Sequence, residues 1–272
     1  MAHTLSTDAI CDPASAAPLF QKHAGILSAP IAADHFLSQV ARGRPAYQFL
    51  ANSAQCVAGR QVAFLSAILL DYFAEPAAEI KVLDWGCGKG HITYLLRNRG
   101  FDVSSCDVVS EKDDSTFGQE TPIIEQKQIA VVPLHHTSDL PFAGASFDCV
   151  VSFGVLEHVQ SDIASLHEIR RILKPGGIFY ITLLPYLLSW GQALARLRGI
   201  TYHDRLYTRR KLRELAKQSH FEVAGAMNAQ FFPKNSVPLS LDHVLEPLDR
   251  FLCQYTPLRY FATNLEAILI AR

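Results

Sequence analysis

The sequence has no closely spaced pair of cysteines. Cys11, Cys56, Cys87, Cys106, Cys149 and Cys253 are scattered, so neither a CxxC zinc site nor a disulfide framework is expected. Reduced, mostly buried thiols, no metal site and a cytoplasmic location are the expectation. A charge surplus is missing too: 25 Lys+Arg stand against 26 Asp+Glu, a formal net charge of −1. That balance argues against a nucleic-acid partner held by an overall positive field. No apolar run reaches the ~20 residues that span a bilayer; the longest stretch, residues 177–190, is interrupted by Pro185. The first residues carry Asp8 and Asp12 and no basic cluster before an apolar run, unlike a signal peptide. Internal repeats and low-complexity tracts are also missing.

What remains is a chain of 272 residues, 49% hydrophobic, long and apolar enough for one large domain with additions. Residues 1–30, rich in Ala, Ser and Pro, read as a loose leader. Residues 31–75 read as an N-terminal helical cap, with Phe64, Leu65, Ile68, Leu69, Tyr72 and Phe73 on one buried face. The period then changes. Short apolar runs at 80–85, 101–107, 129–134, 147–153 and 178–184 read as strands. Helical stretches separate several of them, one capped by Ser161 and stopped by Lys174-Pro175-Gly176-Gly177. Strand and helix alternating at this spacing indicate a parallel sheet covered on both faces. Thr208 is placed to cap another helix, and 221–229 and 264–271 read as two further strands. Between those two, an amphipathic stretch carries Leu241, Val244, Leu245, Leu248, Phe251 and Leu252, with Asp242, Glu246 and Asp249 opposite. We expect a core or lid helix there, inside a helical insertion at about 231–262.

The chemistry concentrates after the first of these strands. Asp84-Trp85-Gly86-Cys87-Gly88-Lys89-Gly90 joins a strand to a helix, and its glycines let backbone N–H groups approach a ligand. A dinucleotide fingerprint needs Gly or Ala where His91 stands. A carboxylate two places before the first glycine repels a pyrophosphate and suits a ligand with a positive amine. Asp107, at the end of the second strand, is placed to accept hydrogen bonds from a ribose diol.

The run VLDWGCGKG, then Asp107, then LPFAGASFDCVVSFGVLEHV, then LKPGGIFYITL resembles the class I S-adenosylmethionine-dependent methyltransferases, and within them the small-molecule branch described as methyltransferase type 11 or ubiquinone/menaquinone biosynthesis-like. The resemblance is strong over residues 80–184 and weak beyond. It implies an α/β fold: a Rossmann-like, seven-stranded, mostly parallel sheet with helices on both faces and an antiparallel last strand, over residues 76–272. It implies S-adenosylmethionine as cofactor, with S-adenosylhomocysteine as product. Asp84 would hold the methionine ammonium, and Gly86, Cys87, Gly88 and Gly90 would pass under the amino-acid part. Asp107 would take the ribose and Val108 the adenine. Ser152 and Phe153 would line the sulfonium end. Where the family places an Asp against the adenine amine, this chain has His136.

A hydroxyl or amine nucleophile needs its proton removed. His158, in Glu157-His158 after the fourth strand, is one candidate base and His203, in Tyr202-His203-Asp204-Arg205, another; each is also consistent with an ordinary packing or loop residue. Arg209, Arg210, Lys211, Arg213 and Lys217 form a basic helix face, either merely solvated or turned to an anionic substrate or membrane surface. The expected activity is methyl transfer to a small-molecule or lipid- or sugar-linked acceptor, most simply at oxygen. A catalytically inactive cofactor-binding partner protein and a dinucleotide-dependent oxidoreductase are the alternatives.

Overall fold

The computed structural model describes residues 13–108, 121–199 and 205–272. Seven strands form one sheet: β1 (Lys81–Trp85), β2 (Asp102–Val108), β3 (Val131–Leu134), β4 (Phe147–Phe153), β5 (Leu173–Pro185), β6 (Phe221–Ala229) and β7 (Asn264–Ala271). Their spatial order is β3-β2-β1-β4-β5-β7-β6. The first five pair in parallel, while β7 lies antiparallel between β5 and β6. This is the Rossmann-like sheet that the family resemblance implies, and its parallel part is what the alternation of strand and helix indicates.

Alternate side chains serve opposite faces. On one face Leu83, Trp85, Val150, Phe179 and Ile181 pack with α6 (Asp162–Ile172) and α8 (Arg209–Gln218) through Leu166, Ile169, Leu212 and Leu215. On the other, Val82, Cys149, Val151, Tyr180 and Ile268 pack with α3 (Ser53–Phe73) and α4 (His91–Arg97). Ser161 and Thr208 cap their helices as expected, accepting from Ala164 N at 3.3 Å and Lys211 N at 3.0 Å. The Pro175-Gly176 turn is a bulge inside β5: Phe147 pairs with Leu173, and pairing resumes at Cys149 with Ile178. By length and composition α3 alone among the described helices suffices to cross a membrane, and most of it is buried in the core.

The loose leader is corrected in its described part. Pro13–His23 forms α1, followed by a 3-10 turn at Ala24–Ser28. Phe20 is buried over Gly225 of β6, where an added Cβ would stand 2.5 Å from its ring. That missing side chain is what seats α1. The cap comprises α2 (His35–Ala41), a 3-10 turn at Pro45–Ala51, and α3. A short α5 (Pro122–Gln126) precedes β3, and α7 (Trp190–Leu197) follows β5.

The amphipathic stretch forms α9 (Asp242–Tyr255), but the expected burial of its apolar side is reversed. Asp242 and Asp249 are buried, whereas Leu241, Val244, Leu248 and Phe251 are exposed. Two buried cations cause this. Arg60 of α3 pairs with Asp242 and Glu246, and Lys234 pairs with Glu246 at 2.8 Å. A buried cation requires a partner, and the carboxylate face of α9 supplies it.

Candidate cofactor site

At the carboxyl edge of the parallel strands lies a cavity of about 810 Å³. This is where ligands bind in open α/β sheets. Its floor is the loop from β1 to α4. Gly86, Gly88 and Gly90 all have positive φ, +74°, +49° and +77°, which L side chains rarely adopt. Their surroundings differ. A Cβ on Gly86 would stand 2.5 Å from Val155, and one on Gly90 2.9 Å from Ile124. A Cβ on Gly88 would meet no protein atom, so the missing side chain leaves room for a ligand to approach the backbone. The loop is held from β2, with Gly86 N and Cys87 N donating to the Cys106 carbonyl at 2.9 and 3.1 Å.

Two carboxylates flank the glycines. Asp84 is buried at the end of β1 and accepts from Thr93 Oγ1 at 2.6 Å. Thr93 Oγ1 in turn contacts Ser105 Oγ at 2.8 Å. Burial pushes the Asp84 carboxyl up to about 7, against the opposing pull of the Thr93 hydrogen bond. An uncompensated acid in this position is a receptor for a cation. Asp107 accepts from Gly88 N at 2.6 Å and Val108 N at 2.7 Å, and burial raises its carboxyl as well. It therefore shapes the loop while its remaining lone pairs face the cavity.

Of the residues expected at the site, Asp84, Gly86, Cys87, Gly88, Asp107, Val108, His136, Phe153 and His158 line this one cavity. Two of the expected residues stand back from it. Gly90 does not line it; it caps α4 and gives way to Ile124 and Ile129. Ser152 is wholly buried next to Phe153, and in a strand neighbouring side chains face opposite sides. His203 lies outside the described residues. From the cap, Tyr47 sits beneath the Lys89 ammonium, 5.0 Å from the ring centre. Arg60 is committed to its pair with Asp242.

Sequence reasoning passed over several lining residues: Lys89, His135, Thr137, Gly154, Val155 and Gln160. His91, read only as a departure from the dinucleotide pattern, also lines the cavity. It is packed edge-on against Phe49 at 5.2 Å, and burial pulls its pKa down to about 4, so it is neutral. Below His158, Glu157 is buried with its Oε1 3.8 Å from His158 Nε2, and burial raises its carboxyl to about 7. Behind Phe153, Tyr180 packs at 5.8 Å and donates its hydroxyl to the buried Glu266. Among the described residues no group of three or more His, Cys, Asp or Glu stands together as a metal site.

A family model for a methyltransferase domain matches residues 57–225, more than half of the chain. The chain belongs to this methyltransferase family. The match begins within α3 and ends in β6, enclosing the whole cavity. Similar curated proteins include the biotin biosynthesis bifunctional protein BioHC of Cellvibrio japonicus, 30% identical over 165 residues, and a ubiquinone biosynthesis O-methyltransferase of Roseobacter denitrificans, 32% identical over 109 residues. The matches cover 60% and 38% of this chain, but only 32% and 41% of those proteins. The fold matches the Burkholderia thailandensis 1,6-didemethyltoxoflavin-N1-methyltransferase, solved with that acceptor and S-adenosylhomocysteine bound. Its TM-score is 0.50 at 21% identity, covering 92% of this chain and 89% of that one.

Proposed function

We propose that the protein transfers the methyl group of S-adenosylmethionine to a small-molecule or lipid- or sugar-linked acceptor, at an oxygen atom. One observation carries the reading: a buried, unneutralised Asp84 and an open Gly88 share a single cavity with Asp107. The donor set fits the cofactor. Asp84 meets the requirement of an ammonium, Gly88 leaves room for the backbone approach, and Asp107 offers acceptors to a ribose diol. His136, which lines the same cavity, offers a ring-nitrogen acceptor for the adenine amine.

The bound cofactor supplies a methyl already activated on a sulfonium, so the protein's task is alignment and proton handling. Phe153 and Gly154 close the cavity where β4 ends. His158 stands at the cavity with its side chain half exposed, able to take a proton from an acceptor hydroxyl. Glu157 beneath it is placed to favour the protonated imidazole once the proton has moved. Acceptance at oxygen draws its support from relatives named as O-methyltransferases. Calorimetric titration with S-adenosylmethionine, S-adenosylhomocysteine and NADH tests the reading: both sulfur ligands bind and NADH does not. Failure of both sulfur ligands to bind overturns it.

A further inference from the structure

The inverted helix α9 leaves an apolar stripe in water. Leu248, Phe251 and Tyr255 are all exposed, Tyr255 to 73%. The stripe runs on into the 3-10 turn Pro257–Phe261, which packs against α9. Phe261 of that turn shares a groove of about 550 Å³ with α7, whose Leu194 and Leu197 are exposed, Leu197 to 85%. Soluble monomers seldom expose contiguous apolar surface on this scale without a partner for it.

The charges around it indicate which partner. Residues 187–199 and 255–263 contain no Asp or Glu. They contribute Arg196, Arg198 and Arg259, and α8 adds Arg209, within electrostatic reach of both Arg213 and Arg259. The carboxylates of α9 that could offset them are turned inward to Arg60 and Lys234. A second copy fits poorly, because a two-fold contact sets a patch against itself and would bring arginine to arginine. An anionic bilayer meets both requirements: its interface takes leucine and aromatic side chains, and its phosphates take arginines.

We propose that the surface formed by α7, the Pro257–Phe261 turn and α9 docks the protein on an anionic phospholipid bilayer. The proposal stands apart from methyl transfer, though both flanks leave the sheet at the edge that carries the glycine loop. That geometry suits an acceptor held at the membrane.

Flotation of the full chain with phosphatidylcholine vesicles, with and without phosphatidylglycerol, tests it. Binding to the anionic vesicles is expected, weakened by salt, with little binding to phosphatidylcholine alone. Leu194→Asp with Leu197→Asp, and separately Arg196→Glu with Arg259→Glu, should each weaken anionic-vesicle binding about tenfold or more. All four positions lie on the surface, and an unchanged melting temperature and S-adenosylhomocysteine affinity establish that each variant is folded. Absence of vesicle binding at low salt overturns the proposal, as do equal binding to both vesicle types or unaffected binding by the variants. A concentration-dependent dimer abolished by the leucine substitutions would also overturn it, assigning the surface to a second copy.

Discussion

The guanidinium of Arg60 donates to both carboxylate oxygens of Asp242, at 2.7 and 3.1 Å, with both side chains almost fully buried. The pair ties α3, in the core, to α9, outside it, and decides which side of α9 meets water. Arg60→Ala would strand Asp242 without its cation, while Glu246 keeps Lys234. We expect it to lower the unfolding free energy by about 3–5 kcal/mol, as for other buried pairs deprived of one partner. Denaturant unfolding checks this. Arg60→Met combined with Asp242→Leu should recover much of the loss, and an unchanged midpoint in the single variant would show that the pair holds nothing.

Asp107→Ala removes the proposed ribose acceptor and the anchor of Gly88 N together. S-adenosylhomocysteine affinity should fall about tenfold or more, on the scale of 1.5–3 kcal/mol for hydrogen bonds to a charged group. Calorimetric titration at fixed salt measures it, and an affinity equal to that of the wild-type chain refutes the role.

With Asp84 as the proposed ammonium partner, cofactor binding should depend on protons. Its carboxyl is pushed up to about 7 by burial, so in the free protein it holds a proton through mildly acidic pH. An ammonium beside it favours the ionised form. Binding at about pH 6 should therefore release up to about one proton. Titrations in two buffers of different ionisation enthalpy detect it, and Asp84→Asn should abolish the release. Stability has a definite sign as well. Unfolded Asp and Glu ionise near 4, so between about pH 4 and 7 the folded chain keeps protons that the unfolded chain lacks. Raising the pH through that window lowers the stability of the free protein. Glu157 and Glu266, also raised to about 7 by burial, act in the same direction. Thermal unfolding across pH 5–8 checks the slope.

Gly86→Ala combines a positive φ with a Cβ 2.5 Å from Val155. The backbone term alone is about 1–2 kcal/mol, and the clash pushes the loop and the Val155 turn apart. We expect loss of measurable S-adenosylhomocysteine binding in a protein that still folds by circular dichroism. Tight binding by the variant would refute this.

His158→Ala should lower turnover on an identified acceptor while leaving cofactor affinity unchanged, because the side chain reaches the mouth of the cavity rather than its floor. Full activity in the variant would assign the base elsewhere.

Many of the residues lining the candidate cavity were legible in the sequence because their signals are local. A strand, a glycine turn and a helix lie within one short stretch, and the limits expected for β4, β6 and β7 coincide with those observed. Gly90 and Ser152 stand back from the cavity for a reason the motif does not carry. A motif tells which residues are near a ligand, and only the pleat and the turn tell which way each one faces. The long-range features were not legible. The Ala-rich stretch of α1 is seated through Phe20, which packs against Phe64 of α3 and into the space left by Gly225, two hundred residues later. The reversed α9 has the periodicity of a helix that buries its leucines. The cations that turn it over, Arg60 and Lys234, come from elsewhere in the chain.

The position of β7 has a consequence for how the protein is made. Among the described residues strand β6 has no neighbour in the sheet except β7, and β7 begins at Asn264, long after β6 has ended at Ala229. During synthesis β6 thus emerges from the ribosome before the strand that will hold it exists. The seat of α1, which lies on β6, is incomplete for the same interval. The parallel strands and the glycine loop can assemble first, leaving an unpaired sheet edge at β5 until β7 arrives. In a nascent chain paused between these two strands, that edge is where chaperone contact or misassembly should concentrate.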